Sequence, residues 1–315
     1  MIADVAGLVI SLVVLVVGGD QFVIGVGRLA ASLRVRPTVV GAVVGGFGTS
    51  LPELIVAGVA TARGTEQLAV GSLVGSIVAN VSLALAVAAM VAPVRVDSRT
   101  IRREAPLSVA SVLLFGLLAV GGLSRAEGIA MAVGLVVALG GLLVNARLGP
   151  ARDVLALETE DFFETRTPHH PGVEVTRTVL SVGVMVVGAE LLVGSASALA
   201  GRLGLAEGFV GLTLVAVGTS APVMATSIQA ARRGDHDLVV GNVLGSNLFI
   251  ALAGGATVAF VRSGSSIGIG LPPLFLMAGV TAASWGFMAR GSRLHRSEAA
   301  LLLAAYAATI PFVAR

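Results

Sequence analysis

The chain has 315 residues, 56% hydrophobic and only 12% charged, with a mean hydropathy of +0.96. A soluble domain carries about a quarter charged residues, so the composition excludes an ordinary soluble protein and predicts an integral membrane protein. There is no cysteine, which excludes disulfides and thiolate metal sites, and the net charge of +3 rests on 21 basic residues that are all arginine. In a membrane chain such an excess reads as positive-inside loops and not as a nucleic-acid surface.

Apolar runs long enough to cross a bilayer as helices recur along most of the length. They predict an all-α integral membrane protein with ten transmembrane helices, at 5–33, 37–62, 66–92, 104–123, 126–147, 174–203, 207–232, 236–261, 266–290 and 297–314. The first run lacks the basic region and cleavage site of a signal peptide and continues amphipathically to Leu33, so it reads as a retained span. Between the fifth and sixth spans lies the long polar stretch Gly149–Val173, with Glu158, Glu160, Asp161, Glu164 and Pro168-His169-His170-Pro171. It reads as a linker between a first half, 1–148, and a second half, 174–315. One adjacent histidine pair without further spaced ligands reads as part of that solvated linker and not as a metal site.

With the N-terminus outside, sixteen of the 21 arginines fall on the cytoplasmic side and five outside. This bias predicts that both termini lie outside the cell membrane and that the linker is cytoplasmic. Matching elements of the two halves are five spans apart. Five is odd, so the second half enters the membrane upside down relative to the first. Inverted repeats build secondary transporters, with the site near the midplane where they meet.

The repeat is explicit in the residues. Gly46–Leu54 reads GFGTSLPEL and Gly71–Asn80 reads GSLVGSIVAN. At an offset of 170, Ala216–Met224 reads AVGTSAPVM and Gly241–Ile250 reads GNVLGSNLFI. Pro52 lacks an N–H and obstructs the helix bond to the preceding turn. With Gly45, Gly46 and Gly48 beside it, it predicts a helix broken in mid-membrane, whose freed carbonyls must line a wet cavity or be buried in protein. Those carbonyls, with the hydroxyls of Thr49 and Ser50, make a cage of hard oxygen donors suited to Na⁺ or Ca²⁺. Glu53 lies in the middle of the cage. A carboxylate at a helix centre costs about 3 kcal/mol on insertion scales and marks a functional site. Ser76 and Asn80, one helical turn apart, add a hydroxyl and an amide oxygen from the next span. The glycines at 71, 75, 241 and 245 read as close-packing positions.

The doubled GTSLPE-type motif, with its GNxxGSN-type partners, resembles the cation/calcium antiporter superfamily, the sodium/calcium exchangers in particular, over nearly the whole chain. The resemblance implies an ion site among spans 2, 3, 7 and 8, with spans 1 and 6 as long tilted helices that slide. It makes Glu53 the first-repeat acidic ligand and Asn80 its amide partner. Thr49 and Thr219 would offer carbonyls, and Ser50, Ser76, Ser220 and Ser246 hydroxyls. The chain departs from the pattern in the second repeat. Val223 stands where the second glutamate belongs, and Ile250 where an acid or amide belongs. In the first repeat Ser72 and Ile77 replace two asparagines, whereas Asn242 and Asn247 are kept.

The departures bear on charge. Ca²⁺ facing Glu53 alone leaves a buried charge of about +1, and uncompensated desolvation costs several kcal/mol. One carboxylate neutralises one Na⁺ or binds one H⁺. Asp20 and Glu190 also correspond at the 170-residue offset, on the two sliding spans. They read as structural or gating groups, while Asp20, Glu190 or Glu207 could also restore the missing charge at the site. Trp285 and Tyr306 read as packing or interface residues. The sequence thus predicts a secondary antiporter of inorganic cations, Na⁺, Ca²⁺ or H⁺. The alternative is a transport-incompetent paralogue serving as a membrane scaffold or sensor. Without a nucleophile–base pair or metal triad, an enzyme is not expected.

Overall fold

The structure, a computed structural model, describes residues 1–32, 46–96, 100–148, 170–261, 270–291 and 293–313. The beginning of the second span with Gly45, most of the linker with its acids and His169, and the start of the ninth span lie outside the described residues. So do Arg34, Arg36, Arg99, Arg152, Arg166, Arg262 and Arg315.

The described helices group into ten stretches in the expected order. These are α1 (Ile2–Ser32), α2 (Gly46–Ala62), α3 (Glu66–Val91), α4 (Ala105–Ala119, entered through a π-helical turn at Thr100–Glu104) and α5 (Arg125–Leu148). They continue with α6 (Pro171–Leu203), α7 (Glu207–Thr219, then Ala221–Arg233), α8 (His236–Val261), α9 (Leu271–Gly291) and α10 (Arg296–Val313). Six of them are long and apolar enough to cross a membrane, and α7 makes a seventh if its bent halves form one span. The remaining three, α2, α4 and α10, span 17, 15 and 18 described residues. Helix α6 begins at Pro171, three residues inside the segment expected to be linker. Proline suits a first helical turn, where its missing N–H would have no partner in any case.

The halves share local geometry. Helix α2 ends at Gly64 (φ 79°) and α7 at Gly234 (φ 76°), which correspond at the 170-residue offset. This left-handed conformation favours glycine and turns the chain directly into the next helix. Asp235 caps α8 by accepting from the Leu238 N–H at 3.3 Å. Both α3 and α8 carry a π-helical segment, Asn80–Leu85 and Ile250–Gly254, which start at corresponding positions. Such segments are frequent at functional sites in helices.

Helices α3 and α8 are central and mostly buried, whereas α1 and α5 present Val9, Val13, Val133, Val136 and Val137 outward. Outward valines on long apolar helices are the face a bilayer covers. Helices α3 and α7 meet backbone to backbone. A Cβ on Gly75 would lie 2.2 Å from the Leu212 carbonyl oxygen, so only glycine fits this crossing. Helices α1 and α6 run antiparallel along one another and are tied near both ends. Asp4 accepts from Arg202 at 3.2 Å, and Glu174 faces Arg28 at 3.6 Å and Arg177 at 3.1 Å. Two short strands, Val94–Arg95 and Arg293–Leu294, pair antiparallel, which the apolar runs gave no means to expect. Trp285 donates its indole N–H to the Ile101 carbonyl at 3.1 Å, and Tyr306 is buried, both consistent with packing roles.

Candidate ion site

Helices α2, α3, α7 and α8 bring the repeat motifs together. The Thr49 hydroxyl of α2 meets the Ser246 hydroxyl of α8 at 3.2 Å, and the Ser76 hydroxyl of α3 meets the Thr219 hydroxyl of α7 at 3.3 Å. These contacts are mates under the repeat, since 49 and 76 correspond to 219 and 246. The pseudo-twofold relation between the halves therefore passes through the hydroxyl array. The Ser50 hydroxyl donates to the Ser246 carbonyl at 3.5 Å, a long contact that adds little. Thr219 also reaches the Val215 and Ala216 carbonyls of its own helix, at 3.1 and 3.3 Å.

Glu53 lies one turn beyond Thr49 on the same face of α2 and is only 2% exposed. Among the described residues, neither of its carboxylate oxygens has a hydrogen-bond partner. The Asn80 Oδ1 and Ser220 Oγ atoms are buried and equally unpartnered. Buried polar atoms in folded proteins are nearly always paired. Glu53, Asn80 and Ser220, all within or next to the repeat motifs, thus leave buried oxygens without a hydrogen bond among the described residues. Val223, at the position corresponding to Glu53, is fully buried, as is Ile250 opposite Asn80. The second half thus closes with hydrocarbon where the first offers oxygen.

Among the described residues the break lies in the second copy and not at Pro52; Gly45, part of the expected break, lies outside them. In the first copy the described helix runs unbroken through Pro52. A proline blocks only one backbone bond, to the carbonyl four residues earlier, so Gly48 alone loses its partner. In the second copy the helix bends by 44° at Ser220. Ser50 and Ser220 occupy corresponding positions, but only the second lies at a break.

Sequence reasoning passed over Asn247. Its Oδ1 accepts from the Asn80 Nδ2 at 3.0 Å, and its own Nδ2 donates to the Ile77 carbonyl at 3.3 Å. This chain of bonds spends the amide N–H of Asn80 and turns its oxygen free. The retained asparagine of the GSN triplet was the available signal. Asn242 similarly donates to the Val223 carbonyl and Ser227 hydroxyl, each at 3.3 Å, and braces α8 on α7. The acids suggested as replacements do not serve. Glu190 is exposed and paired with Arg63 at 2.7 Å, Asp20 is exposed, and Glu207 opens the first turn of α7.

The sodium/calcium exchanger protein family model matches residues 4–144 and 175–314. The chain is 31% identical over 302 residues to a putative antiporter, CaxA, of Alkalimonas amylolytica, covering 94% of both. It is 34% identical to the inner membrane protein YrbG of Escherichia coli strain K12, over 79% of this chain and 77% of that one. The solved structure of the sodium–calcium exchanger NCX_Mj soaked with zero Na⁺ and Ca²⁺ superposes with a TM-score of 0.66 at 25% identity, over 99% of each chain. The fold, the hydroxyl array and these likenesses agree: the chain belongs to the sodium/calcium exchanger family, and is a membrane antiporter of inorganic cations rather than an enzyme.

Proposed function

We propose that Glu53 is the one charged group that carries the transported ion, and that the cargo is monovalent, Na⁺ or H⁺, in preference to Ca²⁺. The observation behind this reading is the buried, unpartnered Glu53 carboxylate facing a second repeat that offers Val223 and Ile250. Hydroxyl oxygens from Ser50, Ser76, Ser220 and Ser246, the Asn80 amide oxygen, and donors from Thr49 and Thr219 complete the cage. One carboxylate balances one positive charge. A divalent ion in the same cage keeps about one uncompensated charge at low dielectric, at a cost of several kcal/mol.

The halves 1–148 and 174–315 act as inverted repeats around this cage in the cell membrane. Both chain termini face outward and residues 149–173 are cytoplasmic, the orientation favoured by the arginine bias. Calcium exchange is the second reading, favoured by the intact hydroxyl array. The decisive experiment reconstitutes the protein in liposomes and follows ²²Na⁺ and ⁴⁵Ca²⁺ under Na⁺ and pH gradients. Sodium flux without calcium flux is expected. Calcium flux that survives Glu53→Gln would overturn the assignment, and no flux of either ion would return the scaffold reading.

A further inference from the structure

Arg63, which closes the turn after α2, holds Glu190 of α6 at 2.7 Å. Adding 170 to Arg63 gives Arg233, the last residue of α7. Subtracting 170 from Glu190 gives Asp20 of α1. All four positions of an inter-repeat ion pair therefore keep their charge sign in both copies. In the same motifs the site positions themselves have diverged, Glu53 against Val223 and Asn80 against Ile250.

Only one of the two pairs is formed. Asp20 is exposed and, among the described residues, makes no ion pair. The surrounding packing is lopsided in the same sense. Helix α6 lies broadly along α2, whereas α1 meets α7 chiefly over Ala216–Thr219, with Leu12 against Gly218. Helices α1 and α6 are themselves joined near both ends, through Asp4–Arg202 at one and through Arg28–Glu174 and Gln21–Arg177 at the other. The two helices are therefore equipped to move together against α2 and α7.

In an inverted-repeat transporter, the opposite-facing state arises when the two repeats exchange conformations. A contact between the halves whose residues keep their chemistry in both copies can then pass to its mate. We propose that Arg63–Glu190 and Arg233–Asp20 are alternating latches between the α1–α6 pair and the rest of the molecule. The first is closed in the state seen here, and the second closes in the state that opens the cage to the other side. The closed pair is 44% and 46% exposed. The proposal rests on the transport reading above, and its test is separable from it.

The chain has no cysteine, so paired cysteines can be added directly. An Arg–Glu pair spaces its backbones farther apart than a disulfide tolerates, so a short bis-methanethiosulfonate linker is the suitable probe. Arg63→Cys with Glu190→Cys should crosslink, and so should Asp20→Cys with Arg233→Cys. In the variant with all four cysteines, mass spectrometry should find either bridge but never both in one molecule. Each bridge should stop ion flux, and a reductant should restore it. Failure of the 20–233 bridge to form, or both bridges in one molecule, would overturn the latches. Flux by the unsubstituted protein is measured separately. Its absence would sink the transport reading, while the crosslinks still report on the latches.

Discussion

Asn80 and Asn247 join the two repeats through their side chains at 3.0 Å, yet they do not occupy corresponding positions. Asn247 corresponds to Ile77, whose carbonyl it caps at 3.3 Å. The bond has a direction. One amide N–H of Asn80 donates, and its oxygen is left without a partner among the described residues. Replacing Asn247 with leucine removes the acceptor and frees the Asn80 amide to rotate. The loss of one buried hydrogen bond is worth about 1 kcal/mol, and an unsatisfied partner costs about 1–3 kcal/mol more. Sodium uptake by Asn247→Leu should therefore need a roughly tenfold higher half-saturating Na⁺ concentration. Asn247→Gln, which retains an acceptor, should recover part of the loss. An unchanged half-saturation in liposome flux would show that the bond does not orient Asn80.

The Glu53–Val223 mismatch supplies a gain-of-function test. Val223 is fully buried in the first turn after the bend at Ser220, at the position corresponding to Glu53. Val223→Glu would place a second carboxylate opposite the first. Two carboxylates in one apolar site repel unless a divalent cation lies between them. The variant should gain Ca²⁺ binding, read by calorimetry or ⁴⁵Ca²⁺ uptake, and should be stabilised by millimolar Ca²⁺ where the parent is not. Glu53→Gln should abolish Na⁺ flux in both backgrounds. Ca²⁺ uptake by the parent equal to that of Val223→Glu would contradict the role given to the lost acid.

Much of this site is legible in the sequence, and what is not has physical causes. The doubled GTS and GS elements locate Thr49, Ser76, Thr219 and Ser246, and the fold joins them as two corresponding pairs. Repetition is readable because it compares the chain with itself. The bend at Ser220 is not readable, because Pro52 and Pro222 carry the same local signal while, among the described residues, only the second helix bends. Proline removes one hydrogen bond, and whether the helix then kinks depends on what packs around it. Asn247 reads only as a retained motif residue because its value lies in a partner from the other repeat, which no local pattern announces. The α1–α6 ion pairs escaped notice for the same reason.

The two ties between α1 and α6 should differ in strength. Asp4 and Glu174 correspond under the repeat, but Glu174 is 2% exposed between Arg28 and Arg177, at 25% and 32%, whereas Asp4, 13% exposed, pairs with the far more exposed Arg202 and N-terminal amine, at 60% and 75%. Breaking a buried ion pair from one side strands the other charge and costs about 3–5 kcal/mol. An exposed pair is screened by salt. Glu174→Ala should therefore lower the melting temperature of the purified protein strongly and at any ionic strength. Asp4→Ala should lower it slightly, and the difference should vanish in high salt. Equal shifts for the two variants would mean that burial does not set the strength of these ties.

Gly75 tests whether the cage depends on the approach of α3 to α7. A methyl group there would meet the Leu212 carbonyl oxygen at 2.2 Å and the Ala216 Cβ at 2.6 Å. Neither neighbour is the end of a flexible side chain, so the helices must separate. Ser76 adjoins Gly75, and its contact to Thr219 at 3.3 Å crosses the same interface. Overpacking of this kind costs about 1–3 kcal/mol, and separating the helices would also draw Ser76 away from Thr219. Gly75→Ala should thus lower both the melting temperature and Na⁺ transport. Ser76→Ala removes the hydroxyl without forcing the helices apart, so it should impair transport with little change in melting temperature. If Gly75→Ala melts normally and transports normally, the close approach of α3 and α7 is not what sets the cage.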